Sequence, residues 1–322
     1  MTEIHDGGAA ALAALPAGLS VTVRVPATSA NLGPGYDSLG LAVQLFDTVT
    51  VQTLDTGALE FDLSGEGVDS VPRDGRHLVI RALEQGLARL GYRHQGLKLS
   101  AENVIPHGRG LGSSAAAVVA AALAANALVP AEAQRGLAWV LQFTSELEGH
   151  PDNVAPAIFG ALALSWQEGE EFLSARAEVH PEVTPVVAIP DFELSTELAR
   201  TLLPAQVDHH QAAMNSGRAA LLVAALTGAP ELLLPATRDY LHQDYRAEAM
   251  RPSAELIGAL RAAGHATVVS GAGPTVMTLA RDAAEADAVE AFIRNRAQDG
   301  VSWRVLRPGV DREGAKVEVH SR

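Results

Sequence analysis

Residues 106–116 read Pro106-His107-Gly108-Arg109-Gly110-Leu111-Gly112-Ser113-Ser114-Ala115-Ala116, and an apolar run continues from there to Val129. The three glycines can adopt a positive φ, which lets the backbone approach a ligand closely. Ser113 and Ser114 are suitable N-cap residues, and the alanine-rich run favours a long helix. Such a loop directs several unpaired N–H groups and the positive end of a helix dipole at one place. The stretch therefore predicts a phosphate-binding site.

The same glycine pattern also has a purely structural interpretation, in which the loop caps a buried helix and binds nothing. Pro106, which stiffens the start of the loop, and the hydroxyls of Ser113 and Ser114 favour the binding interpretation. The loop is not a Walker A motif, because no lysine follows its last glycine. The chain has only two lysines, Lys98 and Lys316. Phosphate charge must therefore be met by arginine, backbone N–H groups and Mg²⁺.

Composition narrows the possible functions. The chain has 322 residues, a formal net charge of −14 and no cysteine. This length allows two domains, and the acidic balance argues against a nucleic-acid or membrane partner, since either would need a basic face. The lack of cysteine excludes disulfides and thiolate metal sites. Residues 1–20 carry Glu3 and Asp6 and lack the basic region of a signal peptide, so we expect a cytoplasmic protein.

Three further stretches carry a family resemblance together with residues 106–116. They are Val25-Pro26-Ala27-Thr28-Ser29-Ala30-Asn31-Leu32-Gly33-Pro34-Gly35-Tyr36-Asp37, Glu148-Gly149-His150-Pro151-Asp152-Asn153 and Ser270-Gly271-Ala272-Gly273-Pro274-Thr275. In this order they resemble the motifs of the GHMP kinases. The stretches at residues 25–37 and 148–153 resemble the homoserine kinase form of that family. The alternatives are another GHMP small-molecule kinase and a non-catalytic GHMP-like metabolite sensor.

The resemblance implies an α+β, two-domain GHMP kinase fold with the active site between the domains. The N-terminal domain would be like ribosomal protein S5 domain 2, the C-terminal domain would be ferredoxin-like, and the protein would form a homodimer. Helical and strand patterns mix without the alternation of a doubly wound sheet, which also favours α+β. A polar break near residues 167–171 gives an N-terminal arm at 1–20, an ATP-binding domain at 21–170 and a C-terminal domain at 171–322.

Hydrophobic periodicity and turn residues predict the individual elements. The predicted strands cover residues 21–25, 41–54, 59–63, 97–105, 184–190, 266–270, 275–279, 301–306 and 317–319. The predicted helices cover residues 77–90, 115–129, 132–148, 218–226, 253–263 and 283–298, with a further helix starting at Ser195 and a helix that turns into a strand over 154–164.

By resemblance, ATP is the co-substrate and residues 106–116 bind it. Ser114, or its neighbour Ser113, and an acidic residue before His150 would hold Mg²⁺. Glu148 is the preferred carboxylate, with Glu146 as the alternative. A glutamate near a helix C-terminus is unfavourable for the helix dipole, which favours a functional reason for its presence.

The acceptor implied by the resemblance is L-homoserine, whose ammonium calls for acids and whose carboxylate calls for a guanidinium fork. The substrate-binding candidates are Asn31, Asp37, His150, Asp152, Thr196, Arg200, Arg246 and Gly273. Asn31, Asp37, Asn153 and Arg200 are the catalytic candidates. Each arginine alone could equally be a surface charge, and His150 alone could be a core histidine.

Two positions depart from patterns in related sequences. Mevalonate-type relatives use an aspartate near the place of Asn153, so we predict that no dedicated strong base takes the hydroxyl proton. Homoserine kinases commonly have asparagine where this chain has His77, in a region that contacts adenine. An adenine contact at His77 is therefore in question.

Overall fold

The computed structural model describes residues 12–296 and 301–320. Its strands are β1 (Ala13–Ala14), β2 (Ser20–Ala30), β3 (Leu39–Leu54), β4 (Leu59–Gly65), β5 (Tyr92–Arg93), β6 (Gly96–Asn103), β7 (Leu162–Glu168), β8 (Glu171–Ala177), β9 (Thr184–Pro190), β10 (Thr267–Val269), β11 (Val276–Ala280), β12 (Trp303–Leu306) and β13 (Lys316–His320).

The helices are α1 (Leu78–Arg89), α2 (Ser113–Leu128), α3 (Leu137–Glu148), α4 (Val154–Phe159), α5 (Thr196–Thr201), α6 (His209–Thr227), α7 (Leu233–Ala236), α8 (Gln243–Arg246), α9 (Arg251–Ala262) and α10 (Ala283–Arg296). Short 3₁₀ segments cover Ala131–Ala133, Pro230–Leu232 and Ala247–Met250. None of the helices in residues 12–296 and 301–320 has the length and apolarity needed to cross a bilayer.

A seven-stranded sheet forms the first structural unit, in the order β13-β2-β3-β6-β4, with β7 pairing to β3 and β8 pairing to β7. In β2 the side chains alternate, so that Val21, Val23 and Val25 are buried and Arg24 is exposed. The pairing of β2 with β3 shifts register between Pro26 and Ala27. Beyond this bulge β2 approaches the glycine loop, and the Thr28 N–H donates to the Leu111 carbonyl at 3.1 Å.

Helix α2 is apolar on all sides, which is typical of a helix enclosed by other elements. It packs against β2, α1, α3 and α4. Its apolar residues from Ala115 to Ala125 are buried or nearly so. The burial of its body fixes the position of its first turn, which faces a cleft.

The second unit is built on a four-stranded antiparallel sheet in the order β10-β11-β9-β12. In chain order the strands and connecting helices give the β-α-β-β-α-β arrangement of a ferredoxin-like fold. Helices α9 and α10 cover one side and share a core with the sheet that includes Val186, Leu256, Val276 and Ile293. The predicted α+β architecture with two units is confirmed.

Several predicted boundaries differ from the observed ones. The helix expected over 132–148 is a 3₁₀ turn followed by α3, because the backbone is extended at Gln134 and at Gly136. The helix expected over 218–226 starts earlier, at His209, where the Asp208 side chain accepts the N–H groups of His210 and Gln211. The last residues of the helix expected over 283–298 lie outside the described residues.

Sheet membership also differs from the predicted domain limits. A boundary between residues 170 and 171 cuts the β7–β8 hairpin, and β13 returns to the first sheet by pairing with β2. Within the segment expected to be an arm, residues 1–11 lie outside the described residues. Residues 12–20 are packed rather than loose, since β1 pairs with β5 and Leu15 belongs to the main core.

Candidate active site

A cleft of about 670 Å³ lies where the two units meet, and residues of all four sequence motifs line it. A smaller cavity of about 310 Å³ adjoins it and shares Gly108, Ser113 and Ser114. Each residue from Pro106 to Ala116 lines one cavity or both. The structure therefore places the whole predicted ATP-binding stretch along one continuous depression.

The glycine loop adopts the backbone conformation that its sequence predicts. Gly108, Gly110 and Gly112 have φ values of 61°, 74° and 71°. A Cβ atom on Gly112 would lie 2.0 Å from Thr28 Oγ1, so glycine is also needed for close packing. The N-cap of α2 is Gly112 itself, and it makes no side-chain cap. The prediction that Ser113 and Ser114 are N-caps is therefore wrong; they are the first two helical residues.

The first turn of α2 presents free hydrogen-bond donors to the cleft. Within residues 12–296 and 301–320, the backbone N–H groups of Ser113, Ser114 and Ala115 donate to no other residue. Helix geometry explains this, because the first N–H groups of a helix have no intrahelical acceptor. With the positive end of the helix dipole they form an environment suited to an anion.

Ser114 and Glu148 meet across the cleft. Ser114 Oγ donates to Glu148 Oε1 at 2.6 Å, although the residues belong to different helices. Glu146 faces elsewhere, where it pairs with Arg89 and accepts a hydrogen bond from Gln142. Of the two predicted carboxylates, only Glu148 lines the cleft. A hydroxyl and a carboxylate suit Mg²⁺, which favours hard oxygen ligands and completes its shell with phosphate oxygens and water.

Arg109 lies in the glycine loop, but its guanidinium binds the second unit. It donates to the carbonyls of Pro190 and Asp191 and pairs with Glu193 at 2.9 Å. In this conformation Arg109 is therefore not the arginine expected to neutralise phosphate charge. The side chain instead ties the loop to the segment between β9 and α5.

Asn153 is oriented by a residue that the sequence analysis did not single out. Thr28 is fully buried, and its Oγ1 donates to Asn153 Oδ1 at 2.8 Å. The NH₂ group of Asn153 donates to no residue in the described part of the chain. Thr28 lies within the quoted first motif, but only its position beside Asn153 in space reveals this contact.

Asn31 joins the first and third motifs rather than facing the cleft with free polar atoms. Its Oδ1 accepts from the Asp37 N–H, and its Nδ2 donates to the Gly271 carbonyl, both at 2.9 Å. Asn31 and Asp37 have positive φ values of 69° and 53°, a region that asparagine and aspartate tolerate better than most residues. Asn31 thus holds the turn that carries Asp37.

Asp37 and Arg200 form a bidentate ion pair, with distances of 2.9 and 3.2 Å. The Tyr36 hydroxyl accepts a further hydrogen bond from Arg200 at 3.1 Å. Burial, followed by the charge of Asp37, raises the pKa of Tyr36 above its ordinary value. Tyr36 therefore stays a neutral phenol beside the guanidinium.

His150 and Asp152 form a second polar pair in the cleft, with His150 Nδ1 2.5 Å from Asp152 Oδ1. Burial by itself would lower the pKa of His150, but the hydrogen bond and charge of Asp152 raise it above its ordinary value. Asp152 is almost fully buried, whereas His150 is partly exposed to the cleft. The pair places a buried carboxylate, hydrogen-bonded to an imidazole, at the wall of the cleft.

Arg246 is a buried cation that pairs with no carboxylate among the described residues. Only 2% of its surface is exposed, and its guanidinium donates to the carbonyls of Ala199 and Gly271 and to His242 Nδ1. No ion pair joins it to an Asp or Glu in the described part of the chain. Burial lowers its pKa, yet a guanidinium remains charged at neutral pH. Because Arg246 lines the cleft, its charge is available to an anionic ligand.

Three other predicted residues have distinct positions. Thr196 lines the cleft at the start of α5, where Ser195 caps the helix through the Leu198 N–H. Gly273 does not line the cleft, and a Cβ there would lie 2.6 Å from Met250 Sδ. Its neighbours Gly271 and Ala272 line the cleft instead. Gly273 packs against Met250, away from the cleft.

His77 has a local structural role. It is the N-cap of α1, and its Nδ1 accepts from the Val79 N–H at 3.2 Å. Burial and then the nearby His107 lower the pKa of His77, so it stays neutral and able to accept. Asparagine caps helices in the same manner, which explains how either residue serves here. His77 also lines the smaller cavity.

Comparison with known proteins gives consistent matches. The model of the GHMP kinases N terminal domain matches residues 77–161, and the model of the GHMP kinases C terminal domain matches residues 215–299. The homoserine kinase of Streptomyces coelicolor is 50% identical over 299 residues, covering 92% of this chain and 94% of the relative. The homoserine kinase of Clavibacter michiganensis is 46% identical over 306 residues, covering 95% and 96%. The crystal structure of the homoserine kinase from Cytophaga hutchinsonii superposes with a TM-score of 0.82 at 27% identity, covering 93% of this chain and 97% of that one.

Proposed function

This chain belongs to the GHMP kinase family, and we propose that it transfers the γ-phosphoryl group of ATP to the hydroxyl of L-homoserine. The products are ADP and O-phospho-L-homoserine, on the route to threonine. The names of the relatives support this assignment, since relatives matched over nearly the whole chain are homoserine kinases. A homodimer remains a prediction from the family resemblance.

The observation that carries the choice of acceptor is the charge arrangement around Arg246. A buried guanidinium with no carboxylate partner in the described residues is available to pair with an anion, and the ion pair of Asp37 with Arg200 lies in the same cleft. An amino acid brings both a carboxylate and an ammonium. Arg246 and Arg200 would bind the carboxylate, while Asp37 and the His150–Asp152 pair would face the ammonium.

The nucleotide would bind along the glycine loop. The free N–H groups of Ser113, Ser114 and Ala115 would bind phosphate oxygens, and the cavity beside His77 would take the adenine. Ser114 and Glu148 would hold Mg²⁺, whose oxygen-rich ligand preference their side chains match. When bound, the ion neutralises charge on the phosphate oxygens.

Positioning explains the rest of the chemistry. The homoserine hydroxyl oxygen forms a bond to the γ-phosphorus as the bond to the bridging oxygen of ADP breaks, and the hydroxyl proton passes to the phosphoryl group. Asn153 donates a hydrogen bond but accepts no proton at neutral pH, so its role is to orient the reacting groups. Thr28 fixes the Asn153 carboxamide with the NH₂ group free, as this role requires.

An assay of ADP release tests the proposal, with L-homoserine, mevalonate, galactose and shikimate offered separately as acceptors. We expect turnover with homoserine that exceeds turnover with the other three by several orders of magnitude. A higher kcat/KM with any other acceptor would overturn the assignment of substrate. No turnover with any of them, in protein that binds ATP, would favour a sensor over a kinase.

A further inference from the structure

We infer that His242 is a positioning residue for the substrate carboxylate, because it holds Arg246 in place as a neutral acceptor and leaves the guanidinium charge uncompensated. This inference rests on the proposed function and adds a residue outside all four sequence motifs. His242 has no exposed surface and does not line the cleft. It acts through Arg246 and not by touching the substrate.

The hydrogen bonds of His242 fix its protonation state. Nε2 lies 2.8 Å from the Gly33 carbonyl, and a carbonyl can only accept, so Nε2 carries the proton. Nδ1 lies 3.2 Å from Nη1 of Arg246, and a guanidinium can only donate, so Nδ1 carries none. The imidazole is therefore neutral and bridges the loop of the first motif to the arginine.

Asp239, the acid beside His242, is already used for other bonds. Both carboxylate oxygens of Asp239 accept backbone N–H groups, from Leu241, His242 and Gln243. Its Oδ1 lies 3.7 Å from His242 Nε2. Asp239 therefore caps the turn before α8 and does not ion-pair with Arg246.

The three acceptors around Arg246 share one property. The carbonyls of Ala199 and Gly271 and the Nδ1 of His242 are all neutral. They replace the hydration of the guanidinium and fix its orientation, but they do not cancel its charge. Tyr36 adds a neutral ring 5.6 Å from the guanidinium. A ligand carboxylate is then the first anion to pair with this cation.

The test gives Arg246 an internal counter-ion. His242→Glu places a carboxylate next to the guanidinium, and Gln243→Glu places the same charge on the next residue, which lies outside the cleft. The measured quantity is the ratio of kcat/KM for L-homoserine to kcat/KM for 3-aminopropan-1-ol, which lacks only the carboxylate. We expect His242→Glu to lower this ratio about tenfold or more, since an interaction with a charged group is lost. Gln243→Glu should keep the wild-type ratio.

Folding is controlled separately. If His242→Glu fails to fold, His242→Leu and His242→Gln replace it. The leucine variant removes the acceptor and should raise the KM for homoserine without raising the KM for ATP. The glutamine variant, whose side-chain carbonyl can accept from Arg246, should have the wild-type KM for homoserine. An unchanged ratio in folded His242→Glu, or leucine and glutamine variants that behave alike, would overturn the inference. Failure of wild-type protein to phosphorylate homoserine would instead overturn the proposed function.

Discussion

Arg200 of helix α5 pairs with Asp37 of the first motif through two hydrogen bonds, of 2.9 and 3.2 Å, across the mouth of the cleft. The Arg200 guanidinium could bind a ligand carboxylate, and the Asp37 carboxylate could bind a ligand ammonium. In the free protein the two side chains neutralise each other instead. A bound zwitterion would replace this pair with two ion pairs of its own. A ligand with a single charge leaves one partner unpaired, which is costly in a partly buried site. On the proposed function, the pair would therefore favour amino acids over uncharged or singly charged alcohols.

Replacing Asp37 with asparagine should weaken homoserine binding more than it slows the chemical step. Asparagine tolerates the positive φ of Asp37, so the turn is retained. Loss of a charged partner for the ammonium costs about 1.5–3 kcal/mol, which predicts a rise in KM for homoserine of roughly 10- to 150-fold. Steady-state kinetics with varied homoserine and saturating ATP measures this. A large fall in kcat with unchanged homoserine affinity would show that Asp37 is a proton acceptor.

Asn153→Asp tests whether the reaction lacks a dedicated base. The aspartate keeps the acceptor for Thr28 but loses the NH₂ donor and adds a negative charge to the cleft, where the phosphates would bind. Because like charges repel, we expect kcat to fall by about tenfold or more. Single-turnover rates at saturating ATP and homoserine isolate this step. A faster rate in the variant would mean that proton removal limits the wild-type enzyme.

Glu148→Gln and Glu146→Gln form a matched pair for the metal site. Glu148 contacts Ser114 in the cleft, whereas Glu146, on the same helix, pairs with Arg89. We expect the Mg²⁺ concentration for half-maximal activity to rise about tenfold in Glu148→Gln, since a hard anionic ligand is lost. The Glu146 variant should match the wild type. A raised Mg²⁺ requirement in Glu146→Gln, with a wild-type requirement in Glu148→Gln, would assign the metal site to Glu146.

The conformation of the glycine loop could be predicted because it is a local feature of the chain. Its positive φ values follow from a short stretch with strong backbone preferences. The approach of Ser114 to Glu148 does not, because the two residues lie on different helices, and only the family resemblance implied their pairing. Thr28 and His242 could not be assigned roles in this way. Their partners, Asn153 and Gly33, are 125 and 209 residues distant in sequence, so only the packed fold brings them together.

Sheet edges were equally hard to predict. The strand β13 has an ordinary alternating pattern, but nothing in it specifies that it pairs with β2 at the opposite end of the chain. At the break before α3, the Asn126 side chain binds both the N–H and the carbonyl of Arg135, backbone groups that a continuous helix would use for its own hydrogen bonds. Local preference therefore gave the elements and the loop, and long-range pairing decided which sheet each strand joined.

Gly112→Ala tests the geometry of the phosphate loop. The new Cβ would meet Thr28 Oγ1 at 2.0 Å, in addition to the strain of a positive φ. Gly169→Ala has similar strain, with φ at 62°, but no atom within 4 Å of the new Cβ. We expect both to lose about 1 kcal/mol of unfolding free energy to strain, and Gly112→Ala to lose more and to bind ATP more weakly. Equal ATP affinity in the two variants would show that the loop does not need glycine for binding.

His77→Asn should make the fold less sensitive to acid. The folded protein lowers the pKa of His77, so below the ordinary histidine pKa the unfolded chain binds the extra proton more readily. The stability that neutral His77 contributes is fully present above the ordinary histidine pKa, and it falls as the pH drops from there towards the lowered pKa. Asparagine keeps the N-cap and does not titrate.

Urea unfolding at pH 8 and pH 5.5 should show that the variant gains stability over the wild type at the lower pH. His209→Asn, at an exposed histidine, controls for the loss of an imidazole as such. A stability difference that is the same at both pH values would show that folding does not lower the pKa of His77.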